Sequence, residues 1–207
     1  ISIVSVLMRK NTNDLVQLIV EFKNNSADSE KIEIFKNYIF GKNPCISGLF
    51  YTDKDVSDHK TKFTHIFGEE RLTDDFLNLK IGVSPASFYQ INHEVAESMC
   101  REICSFIPEY EKMNFIDLYC GTGVIGLCYA SANPKASGYG IEINEYAAND
   151  AKHNIKINNI RNFKVYCGDS AAFAKDVKCS LIDLVIIDPP RQGCSGKMIE
   201  SLLKLAP

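Results

Sequence analysis

The sequence has no C-x-x-C pair, no long apolar run, no excess of basic charge, no internal repeat and no low-complexity stretch. Each absence removes a class of protein. The closest spacing among the cysteines is the C-x-x-x-C of Cys100 and Cys104, which is not the pattern of a zinc ribbon or an iron–sulfur site, and no metal is expected. No apolar run approaches the roughly 18 residues of a membrane helix. The opening ISIVSVLMRKN meets charge at Arg9 and Lys10, with no small-residue cleavage site after it. The expectation is a chain with neither a membrane span nor a secretory signal, and with no membrane partner. Lys plus Arg number 23 against 26 Asp plus Glu, so the net charge of −3 does not by itself announce a nucleic-acid partner.

What is present is 207 residues with 45% apolar side chains, enough for one large domain or two small ones around a real core. Of the eight cysteines (Cys45, Cys100, Cys104, Cys120, Cys128, Cys167, Cys179 and Cys194), Cys128, Cys167 and Cys179 lie in or beside apolar runs, where a reduced thiol acts as a small hydrophobe. That usage fits a reducing intracellular compartment, cytoplasmic or nuclear. Charge is unevenly spread: residues 1–111 carry 12 basic and 17 acidic side chains, and 112–207 carry 11 and 9. The contrast suggests two units.

The N-terminal region reads as a small α+β domain over residues 1–92. Ile3 to Met8 and Leu15 to Phe22 are β-rich runs around the turn-prone N-T-N-D, a hairpin pattern. Asp28 to Phe40 spaces Ile32, Phe35 and Ile39 as one helical face, stopped by Gly41 and Pro44. Short β-rich pieces follow at Leu49 to Thr52, Phe63 to Phe67 and Phe76 to Val83. His93 to Ile107 carries Val95, Met99, Ile103 and Phe106 on one stripe, and the span 93–112 is expected to link the two units.

From Met113 the pattern becomes strand and helix in alternation: FIDLY, VIGLCYASA, YGIEI, EYAANDAKHNIKIN, FKVYC, SAAFAKDV, LIDLVIID and KMIESLLKL. This is the signature of a Rossmann-like, doubly wound parallel α/β sheet with right-handed crossovers. Ligands of such sheets bind outside the carboxyl ends of the strands, so the residues after each buried run carry the chemistry.

After FIDLY comes Cys120-Gly121-Thr122-Gly123-Val124-Ile125-Gly126, a G-x-G-x-x-G that serves any ligand approaching the backbone closely. Glu142 ends the second strand, 19 residues after Gly123, where an acid accepts hydrogen bonds from ribose hydroxyls. Asp117 precedes the loop, Asp169 follows the third strand and Asp188 ends the fourth, which puts four carboxylates at one end of one sheet. A pyrophosphate would meet Coulomb repulsion there. S-adenosylmethionine (SAM), with its ammonium, sulfonium, ribose hydroxyls and adenine amino group, suits acceptors, so SAM is favoured over a dinucleotide. Asp169 also fits a helix N-cap, and Asp117 also fits a residue that holds the glycine loop without touching ligand.

The run Asp188-Pro189-Pro190-Arg191-Gln192-Gly193 is the sharpest feature. Two successive prolines fix φ and keep the chain from drifting into helix, pinning Asp188 at the rim of the sheet.

Three stretches in chain order, S-P-A-S-F-Y-Q-I-N (84–92), D-L-Y-C-G-T-G (117–123) and D-P-P-R-Q-G (188–193), resemble those of the RNA uracil-5 methyltransferases, class I SAM-dependent enzymes that form 5-methyluridine in tRNA and ribosomal RNA. Gly140-Ile141-Glu142 and Cys167-Gly168-Asp169 fall in the family's intervening positions. The resemblance is clear over about residues 68–207. It implies a class I methyltransferase fold over 113–207, with SAM as cofactor and RNA as partner, tRNA being favoured and ribosomal RNA the other candidate. It makes Gln90 a cofactor contact, places Tyr119 beside the SAM bound over Gly121 and Gly123, makes Glu142 the ribose ligand and puts Asp188 near the cofactor. Phe88 and Asn92 complete the same motif, Phe88 equally well as packing. Arg191 could face RNA phosphate, the substrate base or a helix end.

In that family a cysteine thiolate adds to carbon 6 of uracil, the resulting enolate attacks the sulfonium methyl, and a base then removes the proton from carbon 5. The cysteine, in an S-C-N-P stretch, and the glutamate base lie C-terminal to D-P-P-R. None of the eight cysteines has that context, and Cys120 and Cys194 read as structural. Both catalytic residues and the last strands of the fold are therefore expected beyond Pro207, and this fragment alone is expected to be inactive. Two other readings stay open: a methyltransferase acting on an amine of a base or protein, and a SAM- or RNA-binding module without turnover. Enzymes of the amine class carry Asn before Pro-Pro and an aromatic after it, where this chain has Asp188 and Arg191.

Overall fold

A computed structural model describes residues 3–22, 28–52, 61–105, 112–176 and 182–205. Contacts divide the chain into two units: Ile1–Asp75 with Gly82–Ala86, and Phe76–Ile81 with Ser87–Pro207. His93–Ser105, read from the sequence as the start of a link, counts with the second unit; Phe106 and Ile107 of the expected helix lie outside the described residues.

The first unit is a four-stranded sheet in the order β1-β2-β3-β4, from Ile3–Lys10, Val16–Phe22, Ile46–Thr52 and Thr64–Gly68. β1 and β2 form the expected antiparallel hairpin. Its turn is closed by the Asn11 side chain, which accepts from the N–H groups of Asn13 and Leu15 at 3.0 and 2.8 Å and so lets Asp14 take a left-handed φ of 62°. β2 and β3 are parallel and joined by α1 (Ser29–Lys42), whose Asp28 caps the Lys31 N–H. Ile32, Phe35 and Ile39 of α1 pack on Leu18, Val20, Phe22 and Leu49.

The expected single β piece at Phe76 to Val83 is instead the end of one strand, a turn and a second strand. β5 (Leu72–Phe76) and β6 (Leu79–Val83) form a two-stranded sheet, and Leu77 between them sits at φ 53°. The sequence around Leu77 lacks the glycine that normally marks such a reversal. Glu97 of α2 (His93–Ser105) supplies the missing hold by accepting the Leu77 N–H at 2.8 Å. That bond, with Arg101, keeps the Glu97 carboxyl below its usual range.

The second unit follows the expected alternation: β7 (Asn114–Leu118), α3 (Val124–Ala132), β8 (Ser137–Glu142), α4 (Glu145–Ile157), β9 (Phe163–Cys167), α5 (Ser170–Asp176), β10 (Leu184–Ile187) and α6 (Gly196–Leu205). The four strands are parallel in the order β10-β7-β8-β9. The chain winds outward from β7 through β8 to β9, then returns to the other side of β7. That reversal is a topological switch point between β7 and β10.

Alternation along β7 splits the core. Phe115 stacks on Phe163 at 5.6 Å and meets Tyr129 of α3 edge-on, so this face is covered by α3 and α4. Ile116, Leu118 and Ile141 point the other way, onto Ala174 of α5 and Met198 of α6. Burying these side chains stabilises each by roughly 1.5–3 kcal/mol. Among the described residues no helix is long and apolar enough to cross a membrane.

Candidate functional site

The switch point is lined by the exits of β7, β8 and β10. β7 ends at Leu118, one residue earlier than its sequence pattern suggests, because Tyr119 takes a left-handed φ of 62°. A non-glycine residue held there is strained, and strain of this kind clusters at ligand sites. Ser170, the first residue of α5, holds the turn: its Oγ accepts the Tyr119 N–H at 3.2 Å and donates to the Ile141 carbonyl at 3.4 Å. Burial, and then the neighbouring Cys194 and Asp169, push the Tyr119 hydroxyl above its usual range.

The glycine loop follows. Gly121 and Gly123 both lie at positive φ, 55° and 81°. A Cβ on Gly123 would come within 3.0 Å of the Ala151 Cβ, so only glycine lets α4 close on the loop. Gly126 has a different reason. A side chain there would run into the Phe163 ring and approach Asp117 Oδ2 at 2.8 Å. The absent side chain opens the Gly126 N–H to Asp117 Oδ2, which accepts it at 2.9 Å.

Asp117 is the most perturbed acid of the site. Its side chain is 1% exposed and reaches the first turn of α3 from beneath, while its other oxygen, Oδ1, is buried without a hydrogen-bond partner. Burial pushes its carboxyl up to about 7; the Gly126 N–H works against this, and the negative charges of Asp188 and Glu142 add to it. Those two charges reach Asp117 because β8 and β10 flank β7 and end beside it.

Glu142 is half-buried and joins two loops. Its Oε2 accepts the Gly121 N–H at 2.9 Å and its Oε1 accepts the Asn144 N–H at 2.7 Å. Each oxygen keeps a free lone pair for a hydroxyl. Asn144 caps α4 by accepting from Tyr146 and Ala147. Asp169 is exposed and caps α5, accepting the Ala172 N–H at 2.8 Å, the bland role that its sequence context allowed. Asp188 is exposed, just past β10. Pro190 to Gly193 then close a turn through the Gly193 N–H to the Pro190 carbonyl at 2.7 Å, which leaves Arg191 exposed at its tip.

Gln90 is half-buried, in the segment between β6 and α2. Ser87, three residues before it, donates to Asp150 Oδ2 at 2.6 Å, which ties this segment to α4. Asp150 and Asn154 are wholly buried on the alanine face of α4, and Asn154 donates to the Thr122 carbonyl of the glycine loop at 3.1 Å. Sequence reading missed Ser87, Asp150, Asn154 and Ser170. The available signal was two polar residues four apart on a stripe otherwise made of Ala147 and Ala151.

Cys120 is buried, and burial raises its thiol well above the ordinary value, with Asp117 and Glu142 adding to the effect. A thiolate is disfavoured there, in keeping with a structural role.

Residues 100–206, just over half of the chain, match the family described as methyltransferase small domain. The chain belongs to that family. Its curated relatives include an uncharacterised RNA methyltransferase of Clostridium tetani, 34% identical over 97% of this chain and 44% of that protein. Another, of Clostridium acetobutylicum, is 33% identical over 94% of this chain and 42% of that protein. The chain thus spans less than half the length of the relatives it matches. Among solved structures, the Pyrococcus abyssi tRNA (uracil-54, C5)-methyltransferase in complex with S-adenosyl-L-homocysteine superposes with a TM-score of 0.74 at 21% identity, covering 98% of this chain and 47% of that one. P. horikoshii TYW2 in complex with MeSAdo superposes at 0.57 and 13% identity, covering 99% and 68%. The fold is that of the class I SAM-dependent methyltransferases, as the resemblance of the three motifs implied.

Proposed function

We propose that this chain is the cofactor-binding part of a SAM-dependent RNA methyltransferase that modifies carbon 5 of uridine, with tRNA the favoured substrate. The observation that carries the reading is the nearness of three carboxylates, Asp117, Glu142 and Asp188, at the exits of three neighbouring strands beside the glycine loop. The donor set fits SAM: a buried carboxylate oxygen without a partner, a fixed carboxylate with a free lone pair on each oxygen, and an exposed acid pinned by Pro189 and Pro190. When bound, SAM supplies an electrophilic methyl group.

In this reading Glu142 takes the ribose hydroxyls, held in place by the backbone of Gly121 and Asn144. Gly121 and Gly123 let the ligand approach the main chain. Tyr119 and Gln90 flank the cofactor, Asp169 supports the third strand exit, and Asp188 faces the cationic end. Asp117 sets the loop from below. Arg191, exposed on its turn, meets RNA phosphate or the base. The order of the three quoted motifs favours carbon 5 of uridine, as does Asp188, rather than Asn, before the two prolines. The carbon-6 nucleophile and the carbon-5 base belong, on this proposal, to the remainder of a protein more than twice as long.

Calorimetry with SAM tests the cofactor site. Wild type binds, and Glu142→Ala, which frees two loop N–H groups and removes the ribose acceptor, weakens binding by about a hundredfold, the equivalent of one or two charge-assisted hydrogen bonds. Equal affinity in the two proteins refutes the assignment. The reaction is tested with the full-length protein and tRNA bearing 5-fluorouridine. A covalent complex is expected, and its absence from an active preparation shifts the reading to amine methylation.

A further inference from the structure

Three successive N–H groups at the start of the glycine loop have acceptors that lie outside the loop. The Tyr119 N–H goes to Ser170 Oγ at 3.2 Å, the Cys120 N–H to the Ile141 carbonyl at 3.1 Å and the Gly121 N–H to Glu142 Oε2 at 2.9 Å. The Ile141 acceptor follows from the parallel pairing of β7 with β8, in which Leu118 stands opposite Ile141. The Ser170 acceptor does not follow from strand pairing. It is a side chain 51 residues further on, past the end of β9.

Ser170 is buried, and its hydroxyl is used in both directions: it accepts from Tyr119 and donates to the Ile141 carbonyl at 3.4 Å. One hydroxyl thus joins the exits of β7, β8 and β9. The conformation it holds is unfavourable by itself. Tyr119 sits at φ 62°, where a residue with a side chain is disfavoured by about tenfold in population. Without the Ser170 acceptor, Tyr119 relaxes out of that conformation. The relaxation reorients the peptide carrying the Cys120 N–H and displaces Gly121 from Glu142.

We infer that Ser170 is a positioning residue for the cofactor: its hydroxyl fixes Tyr119 in the left-handed conformation and so keeps the glycine loop preorganised for SAM. It acts through the Tyr119 backbone and touches no ligand. The inference rests on the proposed reading of Tyr119, Gly121 and Glu142 as the SAM site, and it adds a residue to which that reading gives no part. Preorganisation matters because a ligand that meets a loop in several shapes binds more weakly by the fraction that is competent.

The test uses the full-length protein, with calorimetry for SAM affinity and thermal unfolding for stability, on wild type, Ser170→Ala, Tyr119→Gly and the two substitutions combined. Ser170→Ala is expected to bind SAM about tenfold more weakly, because binding must draw Tyr119 back to positive φ. Glycine takes positive φ freely, so adding Ser170→Ala to Tyr119→Gly is expected to change SAM affinity by no more than about twofold. The difference between those two effects isolates the route through Tyr119, since a general loosening of α5 weakens binding alike in both backgrounds. Should Ser170→Ala alone fail to fold, the combined variant, relieved of the strain, is expected to fold and to bind SAM as Tyr119→Gly does. Equal SAM affinity in Ser170→Ala and wild type overturns the inference, as does a tenfold loss of the same size in both backgrounds. A combined variant that fails to fold where Tyr119→Gly folds also overturns it. Wild type that binds no SAM overturns the cofactor site itself, whereas a negative result with wild-type binding intact removes Ser170 alone.

Discussion

Replacing Asp117 by Asn isolates the electrostatics of the strand ends. The substitution keeps the size of the side chain and an oxygen to accept the Gly126 N–H, and it removes the titration. In the folded protein burial holds the Asp117 carboxyl at about 7, against roughly 4 in an unfolded chain. A raised carboxyl pKa means that the folded state keeps a proton which the unfolded state has released. Its contribution to stability is therefore complete below about pH 4, is lost as pH rises toward 7, and is constant above that. The slope is about 1.4 kcal/mol per pH unit, so wild type should lose about 2 to 3 kcal/mol relative to Asp117→Asn between pH 5 and pH 8. The buried amide nitrogen that replaces the unpartnered Oδ1 costs about 1–3 kcal/mol at every pH, which shifts the whole comparison without changing its pH dependence. Urea unfolding of both proteins at pH 5, 6, 7 and 8 gives the difference directly, since the other carboxylates are common to both. A difference that is the same at pH 5 and pH 8 would show that Asp117 is ionised throughout, and the account of a crowded, desolvated acid cluster would be wrong.

Two other substitutions test the packing that shapes the site. Gly126→Ala drives a methyl group into the Phe163 ring and onto Asp117 Oδ2, with rigid sheet on both sides. The expected cost is about 1–3 kcal/mol, read as a lowered thermal midpoint, and a midpoint equal to wild type would mean that α3 moves away freely. Ser87→Ala removes the 2.6 Å bond to the buried Asp150 carboxylate, and a loss of about 1–3 kcal/mol in denaturant unfolding is expected. Because this bond ties the segment carrying Gln90 to α4, SAM affinity should fall with it; a variant with unchanged stability and affinity would remove Ser87 from the description of the site.

Much of the second unit was readable from local pattern. α3 and β9 occupy the spans of VIGLCYASA and FKVYC, β10 lies within LIDLVIID, and β7 and β8 start one and two residues before their runs, since buried parallel strands need continuous hydrophobicity and their helices need a 3.6-residue period. Elsewhere the chain hid its geometry. Leu77 turns at positive φ without glycine because Glu97, 20 residues away, accepts its N–H, a partner that no window around residue 77 contains. The strain at Tyr119 is equally invisible, since it is sustained by Ser170, a residue 51 positions later.

Sequence by itself determined which residues stand at strand ends, because an apolar run followed by an acid or a glycine is a local fact of the chain. It also determined the fold class, because only a crossover sheet accommodates that alternation. Tertiary structure decided how the acids divide their work. Asp169 caps a helix, Glu142 braces two loops, Asp188 stays exposed and Asp117 lies beneath the loop with one oxygen unpartnered. The reason is that a carboxylate's role depends on desolvation and on neighbouring N–H groups and charges, and these are contributed by segments that meet only when the sheet has closed.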